Sequence, residues 1–260
     1  MSNRRSNIRS VASAGTAAAL ESRVLLAGNV KVSLSATGVL TINGDAKANT
    51  IVVFDDGTDI TISEEGGGTI NGVDAPLTLT TADVLSIKIS GAGGSDNVLI
   101  DSLTATTGDL TIDLGAGNDS LGILNSFLGG KLKVTGGGGN DRVGVEGSQL
   151  LGNVTVDLGA GKDRIGVRNS TFSGTMFADT GKGAQGEIVE VADSTFVSNV
   201  MLKTQGGKDQ ITSINNTFES NLLINGGRGK DTLTIDDLTT VAGVLQIKKI
   251  EKIINIFSPV

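Results

Sequence analysis

The chain has 260 residues and a net charge of −7, with 38 Gly, only 2 Pro, and no His, Cys, Trp or Tyr. Without His or Cys the common catalytic triads, thiol nucleophiles and zinc sites cannot be built, so any metal must be held by oxygen, which favours calcium or magnesium. Gly without matching Pro excludes collagen and points to many tight turns between strands.

Residues 1–28 differ in composition from the rest of the chain. Arg4, Arg5, Arg9 and Arg23 against Glu21 give this head a net +3, and residues 11–20 (VASAGTAAAL) are small and weakly apolar. That order suits an export signal or a disordered tail. The body is acidic, which argues against nucleic acid as a partner. No window is long and apolar enough for a membrane-spanning helix.

Residues 29–86 read as N-terminal coils and a cap. Val30-Lys31-Val32-Ser33-Leu34 and Val39-Leu40-Thr41-Ile42 alternate as strands. Asp56-Gly57, between Ile51-Val52-Val53-Phe54 and Ile60-Thr61-Ile62, predicts a hairpin.

From residue 87 to 235 the chain repeats. A turn of the form Gly-x-Gly-x-Asp places its acid at Asp96, Asp119, Asp141, Asp163, Asp209 and Asp231, in steps of 23, 22, 22, 46 and 22. The long step holds an altered turn ending in Glu187, and an eroded turn precedes the series at residues 44–49. Apolar pairs of spacing two flank each turn, for example Leu132/Val134 before Asp141 and Val143/Val145 after it. Such a pair puts both side chains on one face of a strand. Polar pairs come next (Asn125-Ser126, Asn169-Ser170, Asp193-Ser194, Asn215-Asn216), then Leu128, Leu150, Phe172, Phe196 and Phe218. One arrangement accommodates all of this: an all-β, parallel β-solenoid of about 22 residues per coil, right-handed by the crossover rule. Phe172, Phe196 and Phe218 should stack inside it. Residues 236–260 read as a last coil and cap, with Lys248, Lys249 and Lys252 keeping its edge soluble.

Two resemblances add to this reading. Residues 115–123 (GAGNDSLGI), with the turns at 137–141 and 159–163, resemble the haemolysin-type, or RTX, calcium-binding repeat. That resemblance implies calcium held between stacked turns by Asp96, Asp119, Asp141, Asp163, Asp209 and Asp231. The family has two turns per coil where this chain has one. Arg142, Lys162, Arg164, Lys208, Arg228 and Lys230 lie within three residues of a turn acid and offer built-in cations, whereas Asp96 and Asp119 have none. Calcium is therefore expected to be strongest at Asp96, Asp119 and Asp141. The alternative is that each Asp hydrogen-bonds the turn backbone. Residues 20–27 (LESRVLLA) resemble the LEPR-XLL segment of bacterial surface proteins, with Ser22 where that family has Pro. This implies export and an extracellular or cell-surface location.

The expected function is a non-enzymatic structural or adhesive module whose partner is a surface ligand, a glycan or an envelope protein. The rival is a polysaccharide lyase or hydrolase on a β-helix. Such an enzyme needs long loops and clustered acids, and the adjacent pairs Asp55-Asp56, Glu64-Glu65 and Asp236-Asp237 are the nearest approach to them. A flat Thr array for ice binding is a third class, but Thr is scattered here.

Overall fold

The computed structural model describes residues 28–104, 107–183 and 186–256. The expected export head lies outside these residues apart from Gly28. The described chain is a parallel β-solenoid of about eight turns of about 22 residues each.

Three sheets run along it. The first contains Val39–Asn43, Ser86–Ser90, Leu110–Ala116, Leu132–Gly138, Val154–Ala160, Met176–Asp179, Val200–Lys203, Leu222–Asn225 and Leu245–Lys248, in that order. The second contains Thr50–Asp55, Asn97–Asp101, Ser120–Leu124, Arg142–Glu146, Arg164–Arg168, Ile188–Ala192, Gln210–Ile214, Thr232–Asp236 and Lys252–Ile256. The third is built from two-residue strands, Phe127–Leu128 through Thr240–Val241. Register is kept position by position: Leu132 pairs with Leu110 and Val154, and Val143 with Leu121 and Ile165.

The period-two pattern explains the core. Leu110, Ile112, Leu132, Val134, Val154 and Val156 face inward from the first sheet, and Val98, Leu121, Val143, Ile165, Val189 and Ile211 from the second, all buried. A single coil cannot cover this apolar face, so each depends on its neighbours. The expected aromatic column is present. Phe172 and Phe196 stack at 4.9 Å between centroids, and Phe196 and Phe218 at 4.8 Å, the strand-to-strand rise itself.

At the N-terminal end the stack is closed by antiparallel strands. Asn29–Leu34 pairs with Val39–Asn43, and Asp59–Glu64 returns on Thr50–Asp55 through the turn at Asp56-Gly57. Asp55 ties this hairpin to the first regular coil by accepting from Gly57 N–H, Thr81 Oγ1, Thr104 N–H and Thr104 Oγ1.

The polar bend between the second and third sheets is a second repeated device. Its first residue takes a left-handed conformation, at Asn125, Asn169, Asp193, Asn215 and Gly147. Asn and Asp tolerate that region, and Gly adopts it freely. The residue after it forms a ladder. The N–H of Ser126 donates to Ser148 Oγ, that of Ser148 to Ser170 Oγ, that of Ser170 to Ser194 Oγ, and that of Ser194 to Asn216 Oδ1. Each Ser hydroxyl of this series donates in turn to the carbonyl two residues back, as from Ser170 to Arg168. Asn216 uses its second group on Val191 O and on Ser213 Oγ, which satisfies a polar side chain that replaces the usual apolar residue in the inward column of the second sheet. Ser170→Ala orphans the buried Ser148 N–H. It should lower stability by about 1–3 kcal/mol in urea unfolding, with no change in circular dichroism at low denaturant.

Candidate functional site

The Gly-rich turns join the first sheet to the second, and their acids form one continuous column. Asp96, Asp119, Asp141, Asp163, Asp209 and Asp231 are all at most 2% exposed, and so is Glu187. They point into the solenoid, not out of it. Each accepts a backbone hydrogen bond from the equivalent residue one coil earlier. The Asn49 N–H donates to Asp96 Oδ1, Asp96 to Asp119, Asp119 to Asp141, and Asp141 to Asp163. Asp163 then donates to Glu187 Oε2, Glu187 to Asp209, Asp209 to Asp231, and Asp231 to Glu251 Oε2. The column therefore has nine rungs, from Asn49 to Glu251.

The six aspartates of the sequence motif are brought together as one ladder. Glu251 and the role of Asn49 are not legible in the Gly-x-Gly-x-Asp pattern. Glu251 comes after Lys249-Ile250, a turn with no Gly, only 20 residues after Asp231. Glu187 comes 24 residues after Asp163. The 24- and 20-residue steps thus end on Glu in place of Asp, and the longer side chain accepts from the same backbone N–H as its Asp counterparts.

The second carboxylate oxygen is the unusual feature. Oδ2 of Asp96, Asp119, Asp141, Asp163, Asp209 and Asp231, and Oε1 of Glu187, are buried without a hydrogen-bond partner. Asp141 Oδ2 and the Leu158 carbonyl both lie 2.6 Å from the point where a Cβ on Gly136 would sit. Asp96 Oδ2 and Leu114 O crowd Gly91 in the same way, as do Asp231 Oδ2 and Lys249 O at Gly226. At these three turns the partnerless carboxylate oxygen and a backbone carbonyl both border the space over the glycine.

Burial dominates the electrostatics of this column. It raises every one of the seven carboxyls, only partly opposed by the backbone N–H that each accepts. Asp96 is pushed up to about 7, with Asp119 and Asp45 adding to the rise. Glu187 also reaches about 7, through burial and the charges of Asp163 and Asp209, with Lys162 opposing. Asp141 and Asp163 reach about 6, each raised further by the acid one coil earlier. Outside the column the trend reverses. Burial would raise Asp55, but hydrogen bonds from Thr104, Gly57 and Thr81 outweigh it and hold it below the usual carboxylate range.

Apart from the opposing charge of Lys162 on Glu187, the cations beside the turns do not offset the burial of this column. Arg142, Lys162, Arg164, Lys208, Arg228 and Lys230 are exposed, on the opposite side of the backbone from the inward acids. The ion pairs among the described residues are Arg164–Glu190 and Lys203–Asp179. The expectation that built-in charges compensate the late turns is therefore corrected: the residue next to an inward-facing one points outward.

The haemolysin-type resemblance implies calcium, an ion that takes 6–8 oxygens. Each turn acid offers one free carboxylate oxygen, and at Gly91, Gly136 and Gly226 a backbone carbonyl borders the same space. Among the described residues no three acidic side chains converge on one point. The set falls short of a calcium cage at Asp96, Asp119 and Asp141 as at the later rungs. It suits a proton, which removes the buried charge from an oxygen that no donor reaches.

No protein-family model matches the chain, and no curated protein and no solved structure matches it either.

Proposed function

We propose that the chain is a non-catalytic structural or adhesive module, exported to the cell surface, whose solenoid presents a rigid elongated face to a partner. The observation that carries this reading is how the acids are used. The adjacent pairs that offered the nearest approach to an enzyme are spent on backbone. Asp56 accepts from the N–H groups of Thr58 and Asp59, Glu64 from those of Thr50, Gly66 and Gly68, and Asp236 from those of Asn215 and Thr239. The turn acids are buried in their ladder. Paired strands repeat coil after coil at nearly constant length, so the chain is invested in a uniform rod.

Export rests on the basic head and its LEPR-XLL-like segment. An epitope-tagged full chain, expressed in a bacterium that exports such proteins, should be digested by protease added to intact cells. Deleting residues 1–28 should keep it inside without changing its melting temperature. Protection of the full chain from external protease would overturn the surface reading. Release of reducing ends or unsaturated uronates from acidic polysaccharide by the purified chain would favour the polysaccharide-active enzyme.

A further inference from the structure

The outward side of the same turns changes character along the solenoid. At the position just before the turn acid the early coils are neutral: Asn118 and Asn140 stack there, each amide oxygen accepting the N–H of the residue one coil later, Asn140 and Lys162. From Lys162 onward the outward side is cationic, with Lys182, Lys208 and the pair Arg228 and Lys230 on three successive coils, all exposed. Lys203 and Lys249 join them from the neighbouring edge of the first sheet.

These residues frame two adjoining clefts that share Gly183, Gly206 and Arg228. One, of about 480 Å³, is lined by Lys182, Lys203, Gln205, Asn225, Arg228 and Lys249. The other, of about 630 Å³, runs past Lys208, Arg228 and Lys230 over glycine backbone. The acid at hand is Asp179, which is buried and already held by Lys203 Nζ at 3.0 Å and Gln205 Nε2 at 2.8 Å. Among the described residues Lys182, Lys208, Arg228, Lys230 and Lys249 form no ion pair. Since the turn acids face inward, these cations have no intramolecular duty. Stacked like charges repel, and an anion lying across them relieves that repulsion. Beside the clefts, Phe177, Met201 and Leu223 form an apolar strip on the outer face of the first sheet, with Asn199 and Asn221 at its rim.

From this juxtaposition we infer that the C-terminal half of the turn edge is a binding site for an anionic polysaccharide, carboxylated or sulfated, laid along the solenoid axis. The inference deepens the interaction-module reading and rests on it. Three features select this class. The cations recur about once per coil, roughly every 4.8 Å, which suits a chain with one charge per sugar and not a duplex carrying one per about 1.7 Å. Gln205 Oε1 and Asn225 Nδ2, the ends of these amides not used on Asp179 and Gly227, offer hydrogen bonds for hydroxyls, and the apolar strip offers a surface for sugar ring faces. A net charge of −7 on the whole chain opposes close approach of a dense polyanion or an anionic bilayer elsewhere on the surface.

The test is direct binding of the purified full chain to polygalacturonate and to heparin, with dextran as neutral probe and a single-stranded oligonucleotide as a second polyanion. Binding to at least one acidic glycan is expected, weakening at least about tenfold as salt rises, with none to dextran. The triple variant Lys182→Gln, Arg228→Gln, Lys230→Gln should lose about tenfold or more in affinity at an unchanged melting temperature. Lys88→Gln, Lys131→Gln, Lys133→Gln, on the early coils, should bind like the parent. Equal affinity of the triple variant and the parent, or oligonucleotide binding as tight as glycan binding, would overturn the proposal. Failure of surface exposure in intact cells, with glycan binding retained in vitro, would strike the export reading and leave this site standing.

Discussion

Lowering the pH from about 8 to about 5 should raise the melting temperature by at least about 5 °C. The seven raised carboxyls of the turn column set the sign. Their unfolded pKa is about 4, whereas in the folded chain Asp141 and Asp163 stand at about 6 and Asp96 and Glu187 at about 7. A raised folded pKa means that the folded state binds the proton more tightly. The stabilisation is therefore complete below about 4 and is lost as pH rises through 6 to 7. A tenfold tighter hold on one proton corresponds to about 1.4 kcal/mol, and the rungs interact, so the loss should spread over a wide pH range. Below about 4 the groups held low, Asp45, Asp55, Asp56 and Asp236, oppose the trend, which places the optimum near pH 4–5.

Asp141→Asn separates this account from a general effect of net charge. The amide keeps an oxygen for the Asp119 N–H and, like a protonated acid, brings no charge into the buried column. The variant should melt at or above the parent at about pH 8 and show a shallower pH slope. Asp141→Ala removes the acceptor and should melt lower at both pH values, by about 1–3 kcal/mol of lost stability. A parent whose melting temperature is flat or falls from pH 8 to 5 would overturn the proton-linked ladder. If millimolar calcium stabilised the parent at neutral pH and Asp141→Asn lost that gain, the column would be a metal site.

The fold was largely legible because a solenoid writes the same sentence many times. Leu132/Val134 and Val143/Val145 mean little alone, but seven repeats in register leave few arrangements that bury them all. Phe172, Phe196 and Phe218 share one position and stack. The direction of the turn acids was harder to read. Asp141 and Arg142 are neighbours in sequence, yet the strand pleat sends one into the column and the other to solvent, and spacing alone does not say which face is which. Glu251 was hidden because its turn has no glycine, so the motif disappears although the hydrogen bond persists. The cationic edge is visible as residues, but Lys208, Arg228 and Lys230 read from spacing as partners of the turn acids. Only the exposure of Lys182, Arg228 and Lys230 frees them for something outside the chain.

The glycines of the turn set the tightest limit on sequence. Gly139→Ala should cost at least about 4 kcal/mol, and Gly138→Ala, one residue away, should be neutral or mildly stabilising. Gly139 has φ of 128°, and a Cβ there would lie 1.6 Å from the carbonyl oxygen of Gly117 in the coil below. That oxygen belongs to backbone fixed by the ladder, so it cannot move aside alone. Gly117, Gly161 and Gly229 repeat the same contact at 1.4–1.5 Å, which makes this second Gly a requirement of stacking as well as of conformation. Gly138 has nothing within 4 Å of its Cβ position, and the residues paired with it are Ala116 and Ala160. Urea unfolding of the two variants against the parent measures the difference. Loss of about 4 kcal/mol at this size corresponds to about 8–16 °C in melting temperature, large enough that Gly139→Ala should also lose strand signal around its coil at room temperature. Equal tolerance of both substitutions would show that the coils are not stacked at the strand-to-strand rise of about 4.8 Å through this turn, and the inward carboxylate ladder, which needs the same approach of backbones, would fall with it.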